Sequence, residues 1–364
     1  MKINKSTLSS LLSLLLIISL SLLVSCSNDS NIEDEPKGPS LEGFVDRSEQ
    51  LVETEQNTIQ SDSQNVQAAG PYDVDLSTSN FEPPVGASEA ATNAADGGEN
   101  PGAVRLLIAT SEDGFTWSKT NERFIDQTGA PSAVVVDGTI FLYYMTFAED
   151  YRNKIVAAVS QDEGKTWVHK LIHIDISDGH AADPTVVITD DGSLRMYLTT
   201  ELAGDNHRVI RSALSEDGIN FYLEGGIRIE EVLGGSYPVA SSVLRIGDVW
   251  HLYTLGSFGS KNSHFVSDDG LTFIEEDPLA VNFLFSNGLA SSDGYFYYGM
   301  KNTGTGKGTF SIYMATTEDG YTYDDQGVVL SVEENDLESY MVKEATVIQR
   351  NDGSYMMFYI TVIP

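Results

Sequence analysis

Ser160-Gln161-Asp162-Glu163-Gly164-Lys165-Thr166-Trp167 is the fullest copy of a pattern that recurs five times in the chain. The others are Ser111-Glu112-Asp113-Gly114-Phe115-Thr116-Trp117, Ser215-Glu216-Asp217-Gly218-Ile219-Asn220-Phe221, Ser267-Asp268-Asp269-Gly270-Leu271-Thr272-Phe273 and Thr317-Glu318-Asp319-Gly320-Tyr321-Thr322-Tyr323. Their first residues are 49, 55, 52 and 50 positions apart. Asp and Ser side chains cap the amides of a tight turn, and Gly supplies the positive φ that the turn needs. The aromatic that follows is expected to fold back between neighbouring sheets, so the pattern is structural. A repeat of about 50 residues in β-rich sequence is the length of one four-stranded propeller blade.

A second series alternates with the first. Ala130-Pro131, Asp183-Pro184, Tyr237-Pro238, Asn287-Gly288 and Glu344-Ala345 each open or precede an apolar strand. A turn follows each (Asp137-Gly138, Asp191-Gly192, Gly247-Asp248, Asp293-Gly294, Asp352-Gly353), and then an aromatic-rich strand. These are five inner hairpins, with first strands apolar enough to be buried on both faces. The two series start out of phase. The outer hairpin at 104–124 has no inner hairpin before it, and the inner hairpin at 344–362 has no outer one after it. If the two share a blade the ring closes without a free edge. The expectation is an all-β, five-bladed propeller over residues 101–364, its closing blade shared by N- and C-terminal strands.

Outward from the ring, residues 1–25 read as an export signal. Lys2 and Lys5 precede an apolar run from Leu8 to Val24 that is short for a membrane span. Leu23-Val24-Ser25-Cys26 resembles the lipobox of bacterial lipoproteins, which implies cleavage before Cys26 and its lipidation. Cys26 is the single cysteine, so neither an intrachain disulfide nor a thiolate metal cluster is available. Residues 26–100 read as a disordered acidic tether, since from Ser27 to Asn100 there are 16 Asp+Glu, two cations and three aromatics. Asp29, Glu33, Asp34 and Glu35 loosely resemble the surface-export signals of Bacteroidetes lipoproteins. The expected location is the cell envelope, lipid-anchored to a bacterial membrane (outer membrane or cell surface), as a monomer that meets the membrane only through its anchor.

The chain holds 54 Asp+Glu against 21 Lys+Arg, a net charge of −33. That excludes nucleic acid as a natural partner, because phosphate binding needs clustered cations. Neither a dinucleotide fingerprint nor a phosphate loop occurs. His207, His251 and His264 lack zinc-ligand spacing. No cofactor is implied; a structural Ca²⁺ is compatible with the oxygen ligands, without a motif that demands it.

Ligands bind at the mouth of a propeller's funnel, where the inner strands begin. Aligned on the turns, the residues there are Ala130, Asp183, Tyr237, Asn287 and Glu344. Two carboxylates at one repeat position, at the start of apolar strands, need a partner or a task. The ring, the Ala182-Asp183-Pro184-Thr185-Val186-Val187 strand and Asp191-Gly192-Ser193 followed by Met196-Tyr197 resemble the five-bladed glycoside hydrolases, nearest to family 43 and its clan neighbours. The 160–167 stretch resembles the Asp box of sialidases. The family-43 resemblance implies a base Asp, a second pKa-tuning Asp and an acid Glu on successive blades. Asp183 matches the second, whereas Ala130 and Tyr237 stand at the first and third, so that triad is incomplete here. Sialidase chemistry needs three converging arginines, and none begins an inner strand.

A rearranged pair is the alternative. Asp183 on the second blade and Glu344 on the fifth, with one blade between them, suit the separation of about 6.5–9.5 Å that inverting glycosidases use. Glu201 is a third catalytic candidate. His180 is a substrate-binding candidate that could also serve as acid. Tyr237, Asn287 and Lys301 have side chains that stack on or hydrogen-bond to sugars. The expectation is therefore a tethered glycosidase acting on a carbohydrate ligand. A non-catalytic glycan-binding lipoprotein and a propeller scaffold are the alternatives.

Overall fold

The computed structural model describes residues 75, 77–92, 100–152, 154–176, 181–202, 207–232, 237–256, 262–279, 281–302, 310–333 and 335–364. His180, Cys26 and the export signal lie outside these. Among the described residues no helix is long and apolar enough to cross a membrane.

Blade I consists of β3 (Thr128–Val136), β4 (Thr139–Thr146), β5 (Lys154–Ser160) and β6 (Val168–Leu171). In blade II, β8 (Ala181–Ile188), β9 (Leu194–Glu201), β10 (Arg208–Ser215) and β11 (Asn220–Leu223) carry an extra parallel edge strand, β7 (His173–Ile174). Blade III runs β12 (Pro238–Ile246), β13 (Val249–Gly256), β14 (Asn262–Ser267), β15 (Ile274–Glu276), and blade IV β16 (Leu284–Ser291), β17 (Gly294–Asn302), β18 (Phe310–Thr317), β19 (Asp324–Leu330). Blade V is the composite: inner β20 (Ser339–Gln349) and β21 (Tyr355–Val362) are completed by β1 (Val104–Ser111) and β2 (Ser118–Asp126). Strands β1 and β21 pair antiparallel over their whole length, from Val104 opposite Val362 to Ser111 opposite Tyr355. The inner strands adjoin in the closed order β20, β3, β8, β12, β16, β20. The structure is the five-bladed propeller expected from the repeat.

Each of the five Asp-Gly turns, including Asp162-Glu163-Gly164 with its one extra residue, is built alike. Asp162 Oδ1 accepts from the Lys165 and Thr166 amides, and Ser160 Oγ accepts from the Gly164 amide at 2.9 Å. The turn glycines also take a hydrogen bond from the preceding blade. Tyr143 donates to Gly218 O, Tyr197 to Gly270 O, Tyr253 to Gly320 O and Tyr298 to Gly114 O, at 2.7–2.9 Å. A side chain on these glycines would meet the neighbouring blade: a Cβ at Gly218 falls 2.7 Å from Phe141, and one at Gly320 falls 2.5 Å from His251.

Four of the five blade junctions thus carry a tyrosine staple. At the fifth, between V and I, the strand position equivalent to Tyr143, Tyr197, Tyr253 and Tyr298 is Phe358. Phe358 has no hydroxyl and packs edge-to-face on Trp167, 5.8 Å between ring centres.

That junction is also where residues expected in the tether are found packed. Phe81 is 3% exposed within the V–I core and meets Tyr151 edge-on. Asn80 is bonded to the outer edge of β6: its amide donates to His169 O and its Oδ1 accepts from the Leu171 amide. Gly86 N donates to Asp126 Oδ2, Gln127 donates back to Gly86 O, and a short helix, α1 (Glu89–Thr92), follows. Residues 77–92 therefore form a strap on the propeller, which moves the end of any free tether to before Ser77. Composition hid this because one buried aromatic and a few polar bonds suffice for so short a segment.

Candidate active site at the funnel

All five inner strands contain a bulge at the same level. The register slips by one residue between Gly129 and Ser132, Ala182 and Thr185, Val239 and Ser241, Phe285 and Asn287, and Lys343 and Thr346. At four of these, Ala130, Asp183, Ala240 and Glu344 have φ of 49–51°, a region that non-glycine residues occupy at a cost and that clusters at functional sites. The bulge turns one side chain per strand away from the ordinary alternation.

This register corrects the alignment on turns in two blades. The level residue is Ala240 in blade III, not Tyr237, and Ser286 in blade IV, not Asn287. The inner strands are tied to one another around this level. Val186 N donates to Ser132 Oγ, Ala133 N to Thr346 Oγ1 and Val347 N to Asn287 Oδ1. Asn287 is thus a tie between β16 and β20. Lys301, on β17, lies with Nζ 5.2 Å from the Tyr313 ring centre. Among the described interactions neither Asn287 nor Lys301 contacts Asp183 or Glu344.

The two carboxylates at this level do share one electrostatic site. Asp183 is half-buried, and its carboxylate lies in the surroundings of Thr199 and Ala240, which are tied to each other by the Ala240 amide donating to Thr199 Oγ1 at 3.2 Å. Burial, followed by the charge of Glu344, pushes the Asp183 carboxyl up to about 6; Thr199, Arg208 and the Ala240 amide oppose the rise without cancelling it. Glu344 moves the other way. Burial alone would raise it, but the Lys343 ammonium 2.9 Å from Oε1 and the Ala130 amide 3.0 Å from Oε2 hold it below the ordinary glutamate value. Two like groups with opposed shifts make an acid and a base of one residue class.

Around Asp183 stand residues of β9, β10 and the start of β12. Glu201 ends β9, and its Oε1 is 3.7 Å from Arg208 Nε across the hairpin. Tyr237, 39% exposed, lies against the His207 ring with centres 4.5 Å apart. Sequence reasoning passed over Lys343, Arg208 and Thr199. Lys343 was signalled by its adjacency to Glu344, whereas Arg208 and Thr199 reach Asp183 only through strand pairing. No group of three His, Cys, Asp or Glu side chains among the described residues is placed to hold a metal ion.

The fold has known counterparts. A thermostable family-43 glycoside hydrolase superposes with a TM-score of 0.51 at 14% identity, over 65% of this chain and 88% of that one. A glycosyl hydrolase from Bacteroides ovatus gives 0.47 at 13%, over 64% and 83%. An N-acetylgalactosamine deacetylase from F. plautii, in complex with blood group B trisaccharide, gives 0.48 at 15%, over 67% and 81%. The structural neighbours are family-43-like glycoside hydrolases. No protein-family model matches the sequence, and no curated protein matches it. At these identities the likeness is one of fold, and the chemistry has to be argued from the site.

Proposed function

We propose that this chain is a glycoside hydrolase that cleaves a glycan at its funnel with Asp183 as acid and Glu344 as base. The observation that carries the reading is the placement of these two side chains at equivalent bulges, two blades apart, with opposed proton affinities. In the proposed step protonated Asp183 gives its proton to the glycosidic oxygen as the bond to the anomeric carbon breaks. Glu344 takes a proton from the water whose oxygen attacks that carbon from the other face, which inverts the configuration. In this reading Thr199, which takes the Ala240 amide, flanks the Asp183 carboxyl, and Glu201 beside Arg208 holds substrate.

The test is hydrolysis of plant and algal oligosaccharides by wild type, Asp183→Asn and Glu344→Gln. Cleavage reduced about 10²–10⁴-fold in both variants, with binding retained, is the expected result. Cleavage undiminished in either variant removes that residue from the mechanism. A second reading, a glycan-binding protein without turnover, is favoured by one feature: Lys343 and the Ala130 amide occupy both oxygens of Glu344 and weaken it as a base. Binding without cleavage in the same assay would select it.

We further propose that Cys26 carries a lipid and fixes the protein to the cell envelope. Partition of the full chain into detergent, lost in Cys26→Ser, is the expected outcome; unchanged partition would point to the apolar N-terminal run instead.

A further inference from the structure

Three arginines of the propeller, Arg105, Arg195 and Arg228, are buried, and Arg208 is half-buried. Arg105 forks onto Asp126 at 2.5 and 3.2 Å and donates to Leu337 O. Arg195 forks onto Glu224 at 2.9 Å through two nitrogens and reaches Asp269 O. Arg228 donates to Ser212 Oγ, Gly225 O and Leu271 O. Each places its donors on protein oxygens, in its own blade or the next, as desolvated guanidinium requires. Arg208 does not. Its side chain is only 18% exposed, yet its one ion-pair partner among the described residues is Glu201, at 3.7 Å from Nε. That is beyond hydrogen-bond length, and no described residue accepts a hydrogen bond from its Nη1 or Nη2.

The location of this under-used fork is specific. Arg208 opens β10, and its charge is felt by Asp183. The preceding residue, His207, backs the exposed ring of Tyr237, three residues before Ala240, the bulge residue of β12 whose amide is bonded to Thr199 beside Asp183. An exposed aromatic face and a cation with spare donors are thus joined through consecutive residues, His207 and Arg208, and the charge of that cation reaches the acid. Guanidinium geometry matches a carboxylate through two parallel N–H bonds, and a tyrosine face accepts the apolar side of a pyranose ring. The chain as a whole is strongly acidic, 54 Asp+Glu against 21 Lys+Arg, so an anionic ligand gains nothing from the general field and needs a local cation.

We infer that the mouth of the funnel beside Asp183 holds a subsite for a uronic acid, with Tyr237 stacking on the sugar ring and Arg208 receiving its carboxylate. The inference rests on the glycan reading of the funnel and not on turnover. A binding measurement therefore separates its failure from failure of the hydrolase mechanism.

The experiment is titration of the purified full chain in detergent, at pH 7, with three matched pairs of trisaccharides. These are galacturonate and galactose, glucuronate and glucose, and mannuronate and mannose, so that each pair differs at C6 between carboxylate and hydroxymethyl. At least one acidic member is expected to bind tenfold or more tighter than its neutral counterpart. Arg208→Gln should bring that ratio close to one, a loss of about tenfold or more for a hydrogen-bonded charge. Arg208→Lys, which keeps the charge but not the fork, should fall between them. Tyr237→Ala should weaken both members of a pair by a similar factor and leave the ratio in place. Thermal melting of each variant checks that the blade is intact, and the ratio in Arg208→Lys provides the reading if the glutamine variant does not fold. Equal binding of acidic and neutral members, no binding of any acidic member at millimolar concentration, or a preference that survives in Arg208→Gln would each overturn the assignment.

Discussion

At the scale of the residue, the Asp183–Glu344 pair makes commitments about pH. Cleavage should peak in mild acid. It should fall above about pH 6 as Asp183 loses its proton, and fall again below the ordinary glutamate range as Glu344 gains one. A rate profile flat from pH 5 to 8 would contradict the assignment of acid and base. The same shift has a stability consequence of definite sign. Asp183 moves from an ordinary 3.8 to about 6 on folding, so the native state binds more protons than the unfolded chain between those values. Its contribution to stability therefore declines as pH rises through that window. Asp183→Asn should stabilise the protein at pH 7 by about 1–3 kcal/mol and much less at pH 4, as read from urea denaturation at the two pH values. An active-site residue that costs stability at neutral pH is what a functional role, rather than a structural one, predicts.

At the scale of the element, the inter-blade staples and the inner-strand bulges differ in how far the sequence reveals them. The Asp-Gly turns could be read directly, because their chemistry lies within seven or eight consecutive residues and repeats five times. The bulges could not, because a one-residue slip changes which side chain faces the funnel without altering composition. Tyr237-Pro238 looks like Asp183-Pro184, but Pro238 begins its strand whereas Pro184 lies within its bulge. Matching dipeptides rather than counting residues back from the turn selected Tyr237 and Asn287, which stand ten and six positions before Gly247 and Asp293. Ala130, Ala240 and Ser286 each precede their turn residue (Asp137, Gly247, Asp293) by seven positions, and Asp183 and Glu344 precede Asp191 and Asp352 by eight. The staples were hidden for a different reason: each joins residues more than sixty positions apart. Tyr197→Phe should cost about 1–2 kcal/mol by leaving the Gly270 carbonyl without its hydroxyl donor, with glycan binding unchanged. Phe81→Ala should cost about 3 kcal/mol through loss of a buried ring from the V–I core. A melting temperature unmoved by the latter would mean that the strap contributes nothing to the seam.

At the scale of the whole molecule, acid should loosen the ring away from its funnel. His251 and His264 are buried in blade III, with Nδ1 and Nε2 3.0 Å apart. They lie against Tyr253 and Tyr321, with Asp319 raising His251 slightly and Glu276 opposite His264 across the strand pair. Burial lowers His251 from 6.5 to about 4, and burial together with His251 lowers His264 to about 3. A folded value below the unfolded one means that stability is lost as pH falls from 6.5 toward those values. Replacing both with Gln should flatten the decline in the denaturation midpoint between pH 7 and 5, opposite in sign to the effect of Asp183→Asn. The V–I seam adds a mechanical consequence. It is the one junction closed without a tyrosine hydroxyl, and it is also where the chain joins the ring from its N-terminal side. For a domain held by its N-terminus, tension along the chain reaches the Ser79 and Asn80 bonds to β6 before Gly86 on Asp126, and only afterwards β1 in the closing blade. The strap, held by a few bonds, therefore stands in series ahead of β1, whose eight residues are all paired with β21.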